Sequence, residues 1–177
     1  TVETGLSEPF QANVPDGQAM WETSNSLWAA VQSGSHMVYH AAGWLEGGLI
    51  ASPEKFIMDC EVLQQIQRYL DSALWATGPE DIALDAIRSV GSAGHFFGIQ
   101  HTQDRYATAF YQPFLSDWKN YEAWEAGGSV WTPERAHHIF KDIIANFEEP
   151  PMDDAIRAEL SDFVARRKSE GGAPTDF

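Results

Sequence analysis

The stretch SGSHMVYHAAGWLEGGL, residues 33–49, sets His36 and His40 four apart around Val38 and Tyr39, then adds small residues, Trp44 and Glu46. Residues 36–42 are too short, β-branched and aromatic to make a helix, so the expectation is a buried strand. Alternation along it places His36, Val38 and His40 on one face and Met37, Tyr39 and Ala41 on the other. Whether this strand carries ordinary core residues or one wall of a site decides how the chain is read.

The composition narrows the choice. With 177 residues, 44% of them hydrophobic, the chain can bury the core of one ordinary domain, which excludes disorder. Its 26 acidic and 11 basic side chains give a net charge of −15. That surface repels a phosphate backbone, so nucleic acid is set aside as a partner. The single Cys60 has no second cysteine to pair with, and no long apolar run or leader pattern is present. The expectation is a protein without membrane segments, placed most simply in the cytoplasm. The first residue is Thr rather than Met, so the expectation is either a trimmed chain or a piece of something longer. Aromatic residues make up 12% of the chain, and many sit beside Gly, Pro or polar residues. Core filling is the simpler account of such rings. The alternative is an aromatic wall for a quaternary ammonium, a cation that offers no N–H to bond and is best held by ring faces.

Outward from the opening stretch the pattern is mostly helical. A helix is expected from Pro15 or Asp16 to Gly34, where glycine supplies the left-handed stop. A second starts after Ser52, an N-cap before Pro53, with Phe56, Cys60, Leu63, Leu70 and Leu74 on one stripe. A short helix covers GPEDIALDAIRSVG, residues 78–91, with Pro79 near its start, and AGHFFGIQHT, residues 93–102, reads as a second strand entering a loop. Thr132 is expected to cap a helix whose Ala136, Ile139, Phe140, Ile143, Ile144 and Phe147 form one apolar face. An amphipathic helix from about Met152, basic at its C-terminal end, closes the chain before a polar tail. Two lone strands do not make a stable sheet. Either they pair with strands outside the chain, or the fold is essentially helical. Strand, helix, helix, strand is also the order found in the last part of a (βα)8 barrel.

Five segments in order, PDGQA (15–19), HAAGWLEGGLIASPEKFIMDCEVL (40–63), GSAGHFFGIQHTQDRY (91–106), PFLSDWKNYEAWEAGG (113–128) and EEPPMDDAIRAEL (148–160), resemble the C-terminal portion of the trimethylamine methyltransferase family. The resemblance implies an α/β fold, the C-terminal part of a TIM barrel, mostly helical here with two to three strands. Residues 1–150 would be the barrel part and 151–177 a terminal helix with a mobile tail. It further implies transfer of a methyl group from a methylated amine to the cobalt of a separate corrinoid protein. The corrinoid would be carried by that partner, with no cofactor held tightly by this chain. Some family members carry pyrrolysine and use trimethylamine. This sequence holds only standard residues, which points to a quaternary amine such as glycine betaine if the pyrrolysine position falls within it.

On that resemblance His40 lies toward the C-terminal end of a barrel strand, where barrel chemistry occurs, and is a candidate catalytic group with Glu46. Trp44 and Trp21 are candidate cage walls, and Gln100 and His101, at the mouth of the second strand, are candidate substrate contacts. The plain alternatives are a buried neutral His40, loop packing for Trp44, a solvated Glu46 and a loop cap at His101. A zinc site drawn from His36, His40, His95, His101, Cys60 and Glu46 lacks any HExxH or paired CxxC spacing, and Cys60 on a helix stripe reads as core. His137 and His138 sit on a helix flank and read as surface. There is no GxSxG, phosphate loop or dinucleotide glycine pattern. The competing function is a non-catalytic module that self-associates as a homo-oligomer through exposed barrel edges and binds amines weakly or not at all.

Overall fold

The structure, a computed structural model, describes residues 11–71 and 82–171. Its elements are α1 (Gly17–Gln32), β1 (Trp44–Leu45), β2 (Ile50–Ala51), α2 (Pro53–Leu70), α3 (Leu84–Val90), α4 (Gln100–Gln103), α5 (Tyr121–Ala126), α6 (Thr132–Ala145) and α7 (Asp154–Ser169). The described residues are therefore mostly helical. The chain divides into two units, Thr1–Asp142 and Ile143–Phe177. No described helix is long and apolar enough to cross a membrane.

The helix ends follow the local chemistry. Asp16 caps α1 by accepting from the Gln18 and Ala19 N–H groups at 2.9 and 3.3 Å. Gly34 takes φ +78° just after the last turn, the left-handed exit only glycine adopts without strain. Ser52 accepts from the Lys55 N–H at 3.2 Å, and Pro53 fills the first turn of α2, where its missing N–H has no role. The expected Thr132 cap is corrected: Thr132 lies inside α6. Glu134 reaches back to accept the Trp131 N–H at 3.1 Å, the return half of a capping box.

Both expected strands are replaced. Residues 36–42 form turns and bends with a single bridge at Met37, and most are exposed. His40 has φ +55°, which breaks extended geometry, and no neighbouring strand offers a ladder to hold the run flat. The pairing lies just beyond it, where β1 and β2 run antiparallel with Trp44 opposite Ala51 and Leu45 opposite Ile50. Residues 93–99 are turns leading into the single turn of α4. The expected start of a helix at Pro79 lies outside the described residues. Ala83 is left-handed at φ +54°, so α3 begins only at Leu84.

Two small cores organise the first unit. Ile57 and Met58 of α2, Leu115 and Ala136 form one, with Met20, Ile139 and Phe140 packed on it. Ala12, Ala19 and Leu45 form the other, so β1 is held to the start of α1. The predicted α2 stripe is the wrong face. Phe56 and Leu70 are exposed, Leu74 lies outside the described residues, and the buried positions are Lys55, Ile57, Met58, Asp59, Glu61 and Ile66. The face is decided by the charged residues' buried partners, which lie far off in sequence. On α6 the expected face holds at Ala136, Ile139 and Phe140, whereas Ile143, Ile144 and Phe147 are exposed.

Candidate functional site

The loop before α2 is positioned from beneath by an ion pair. Lys55 and Asp59 stand one helical turn apart and are 1% and 0% exposed, with Nζ 2.6 Å from both carboxylate oxygens. The same ammonium donates to Thr23 Oγ1 of α1 at 2.6 Å. Asp59 Oδ2 also accepts the Gly43 N–H at 2.8 Å, which ties the loop down onto α2. Gly43 is required there. Its φ is +85°, and a Cβ at this position would stand 3.2 Å from Phe56 Cβ. Burial pushes the Asp59 carboxyl up, while the Lys55 ammonium, the Gly43 N–H and the Thr23 hydroxyl pull it down.

Three of the expected site residues lie on or next to the loop that Asp59 holds: His40 and Glu46 exposed, Trp44 half-buried. The His40 and Trp44 rings meet edge to face, 5.4 Å between centroids at 73°. His40 is exposed and lies in a bend, so it is neither a strand residue nor the buried histidine of the plain alternative. Glu46 is exposed at φ +50°, and its carboxylate has no hydrogen bond or ion pair among the described residues. Two non-glycine residues in left-handed backbone within one loop cost about 1–3 kcal/mol each. The fold tolerates them because Gly43, Leu45 and the Glu46 N–H, which donates to Ala12 O at 3.1 Å, fix the path on both sides.

The remaining site candidates lie apart. No hydrogen bond or ring contact among the described residues joins His40 or Trp44 to Trp21, Gln100 or His101. Trp21 lies on α1 and is exposed. The Gln100 amide donates to Asp104 at 2.6 Å, so this donor is already engaged. His101 borders a hollow of about 680 Å³ with Phe97, Arg105, Tyr106 and Phe110. No group of three His, Cys, Asp or Glu side chains is placed to hold a metal among the described residues, the six zinc candidates included. Burial first, and then the Asp59 charge, push the Cys60 thiol up, which makes it a poor nucleophile.

Three buried acids escaped the sequence reading. Glu22 Oε2 accepts the Gln11 and Ala12 N–H groups at 3.1 and 3.2 Å, and its Oε1 accepts from the Gln18 amide at 2.7 Å. Glu61 accepts the Leu115 and Ser116 N–H groups at 2.6 and 3.1 Å, with the Ser116 hydroxyl on the same carboxylate. Asp59 is the third. The one local signal was the Lys55–Asp59 spacing, which by itself reads as a surface pair. His137, expected at the surface, is half-exposed and bonds through Nδ1 to Glu54 Oε1 at 2.7 Å. That contact holds the Glu54 carboxyl below its ordinary range.

Comparison with known proteins places the whole of this architecture in a family context. A family model described as trimethylamine methyltransferase (MTTB) matches residues 6–172. The chain is 37% identical over 157 residues to the glycine betaine methyltransferase of Desulfitobacterium hafniense strain Y51, a match covering 89% of this chain and 32% of that protein. It is 29% identical over 161 residues to the trimethylamine methyltransferase MttB of Desulfitobacterium hafniense strain DSM 10664 / DCB-2, covering 91% and 32%. It is 26% identical over 155 residues to the trimethylamine methyltransferase MttB2 of Methanosarcina mazei, covering 86% and 30%. The chain thus spans about a third of the length of the curated relatives it matches.

Proposed function

The chain belongs to the trimethylamine methyltransferase family, and from that premise we propose that it is the C-terminal part of a TIM-barrel methyltransferase acting on a quaternary amine. Glycine betaine or a close relative is the substrate, and a separate cytoplasmic corrinoid protein accepts the methyl group. The observation that carries the substrate is the ordering of identities: 37% to the glycine betaine methyltransferase against 29% and 26% to the two trimethylamine methyltransferases.

The chemistry asks little acid or base work of the protein. When a quaternary nitrogen loses a methyl group, the C–N bond pair stays on nitrogen and the amine leaves neutral, so no proton has to be supplied. The partner's reduced cobalt supplies the electron pair that takes the methyl carbon. This chain's residues bind and orient the cation. The Trp44 and His40 rings form a wall for the methylated ammonium, and the exposed Glu46 carboxylate draws the positive charge toward it. The Gly43–Asp59–Lys55 anchor keeps that wall rigid from below. His101 offers a donor to a carboxylate. Gln100 is less suited, because its amide is held by Asp104.

Calorimetry tests this on a protein that carries the segment within the family's full length. The titrants are glycine betaine, proline betaine, carnitine, choline and trimethylamine. Tighter binding of the quaternary amines, weakened at least tenfold by Trp44→Ala and only slightly by Trp44→Phe, is the expected result. Preference for trimethylamine, or an unchanged affinity in Trp44→Ala, removes the substrate or the wall respectively.

A further inference from the structure

Helix α1 reaches both ends of the short span that displays Trp44. At the near end the Gly43 N–H is taken by Asp59 Oδ2 at 2.8 Å, and the Lys55 ammonium that pairs with Asp59 also bonds Thr23 of α1 at 2.6 Å. At the far end the Glu46 N–H donates to Ala12 O at 3.1 Å. Ala12 lies ahead of α1, in neither helix nor strand, so something else must hold it still. The residue before Thr23 does so. Glu22 is buried, and one of its carboxylate oxygens accepts the Gln11 and Ala12 N–H groups at 3.1 and 3.2 Å while the other accepts the Gln18 amide at 2.7 Å. Consecutive residues project about 100° apart around a helix, which lets Glu22 serve the far end of the span and Thr23 the near one.

The freedom that this leaves is concentrated at Glu46. Leu45 is buried against Ala12 and Ala19, so the span cannot shift as a body. Glu46 itself stands at φ +50°, a left-handed backbone that a residue with a Cβ abandons unless its neighbours hold it there. From this chain of contacts we propose that Glu22 is a positioning residue: through Ala12 it holds Glu46 in its left-handed backbone and so sets where the Glu46 carboxylate stands relative to the Trp44 ring. The proposal rests on the reading of those two side chains as groups that meet the methylated ammonium. Glu22 works through backbone and touches no substrate. A carboxylate suits the task because one oxygen can accept from two successive N–H groups while the other stays available to Gln18. A glutamine at 22 would keep most of this, its oxygen taking the two N–H groups and its amide facing the Gln18 side-chain oxygen.

Hydrogen exchange over residues 42–50 and calorimetry with glycine betaine test it, on a protein that carries the segment within the family's full length. Glu22→Ala is expected to speed exchange at the Glu46 amide by about tenfold and to weaken binding by about fivefold or more, the size of one lost hydrogen bond. Glu22→Gln should restore both to within about twofold of the unaltered protein. Glu61→Ala removes a buried carboxylate of the same kind that grips the Leu115 and Ser116 N–H groups instead, and should leave both readouts unchanged. In a Glu46→Gly background the left-handed backbone carries little strain and no carboxylate remains to be placed. There Glu22→Ala should change affinity by less than about twofold, whereas a merely stabilising role would add its full effect. If Glu22→Ala does not fold, Glu22→Asp, which keeps the charge but has a shorter reach, carries the same comparison. Unchanged exchange at Glu46, or a fivefold loss that persists in Glu46→Gly, overturns the proposal. An unaltered protein that binds no glycine betaine overturns the role in binding along with the amine reading, and the exchange result then tells that failure apart from a failure of Glu22 to hold the loop.

Discussion

Helices α2 and α7 are close in length, 18 and 16 residues, and each starts on a side-chain cap, yet α2 buries six residues and α7 none. Three of the six in α2 are charged: Lys55, Asp59 and Glu61. The difference lies in what the charges meet. Those of α2 find Thr23, the Gly43 N–H and the Leu115 and Ser116 N–H groups, and so can leave water without being left unpaired. Those of α7 stay on a helix whose apolar side is open. Amphipathic spacing therefore misdescribes α2, where burial follows the hydrogen-bond partners rather than the apolar stripe.

The sharpest way to break this contrast is to remove one partner of the buried pair. Asp59→Asn leaves the Lys55 ammonium enclosed without its counter-charge and is expected to destabilise the chain by about 3–5 kcal/mol. Urea unfolding measures it. A loss below about 1 kcal/mol would mean that the pair is solvated and that α2 differs little from α7. Gly43→Ala comes next, at about 2 kcal/mol, since alanine must take φ +85° and press on Phe56. Phe56→Ala in the same chain should recover the steric part and leave the conformational part. Glu61→Gln is expected to cost about 1.5–3 kcal/mol by weakening charge-assisted bonds to the Leu115 and Ser116 N–H groups.

Smaller effects refine the comparison. Glu54 is held below its ordinary value of 4.5 by His137, so its contribution is present above that pH and is lost as pH falls through the lower folded value. Unfolding measured from pH 3 to 6 should show the Glu54 term vanish in Glu54→Gln, while an unchanged profile would remove His137 as its cause. Ile156→Ser on α7 should change stability by no more than about 0.5 kcal/mol, since Ile156 is exposed. A larger loss would show that α7 differs less from α2 than its exposure implies.

What could be read from the sequence was chiefly local. Asp16, Gly34, Ser52 and Pro53 mark helix ends through contacts within a few residues, and the structure places those ends where they predict. The 36–42 strand failed because alternation describes a run that has a neighbour to pair with, and here the ladder forms only at Trp44 and Leu45. The α2 face failed for a related reason: Thr23 is 32 residues from Lys55, and Leu115 is 54 from Glu61. Of the site, the exposed His40 and Glu46 flank the half-buried Trp44 of β1, as their spacing along the chain allowed. Gln100, His101 and Trp21 were grouped with them by the family resemblance, and no contact among the described residues unites the two sets.

The buried acids hold their loops in a particular way. Glu22, Asp59 and Glu61 grip the N–H groups of Gln11, Ala12, Gly43, Leu115 and Ser116, which is to say backbone. A grip of that kind is indifferent to most side chains and refuses chiefly proline, which has no N–H to offer. The frame formed by α1 and α2 can thus stay constant while the loops it carries drift in sequence. A family that changes its amine would need to alter what the loops display, and could do so without rebuilding what they hang from.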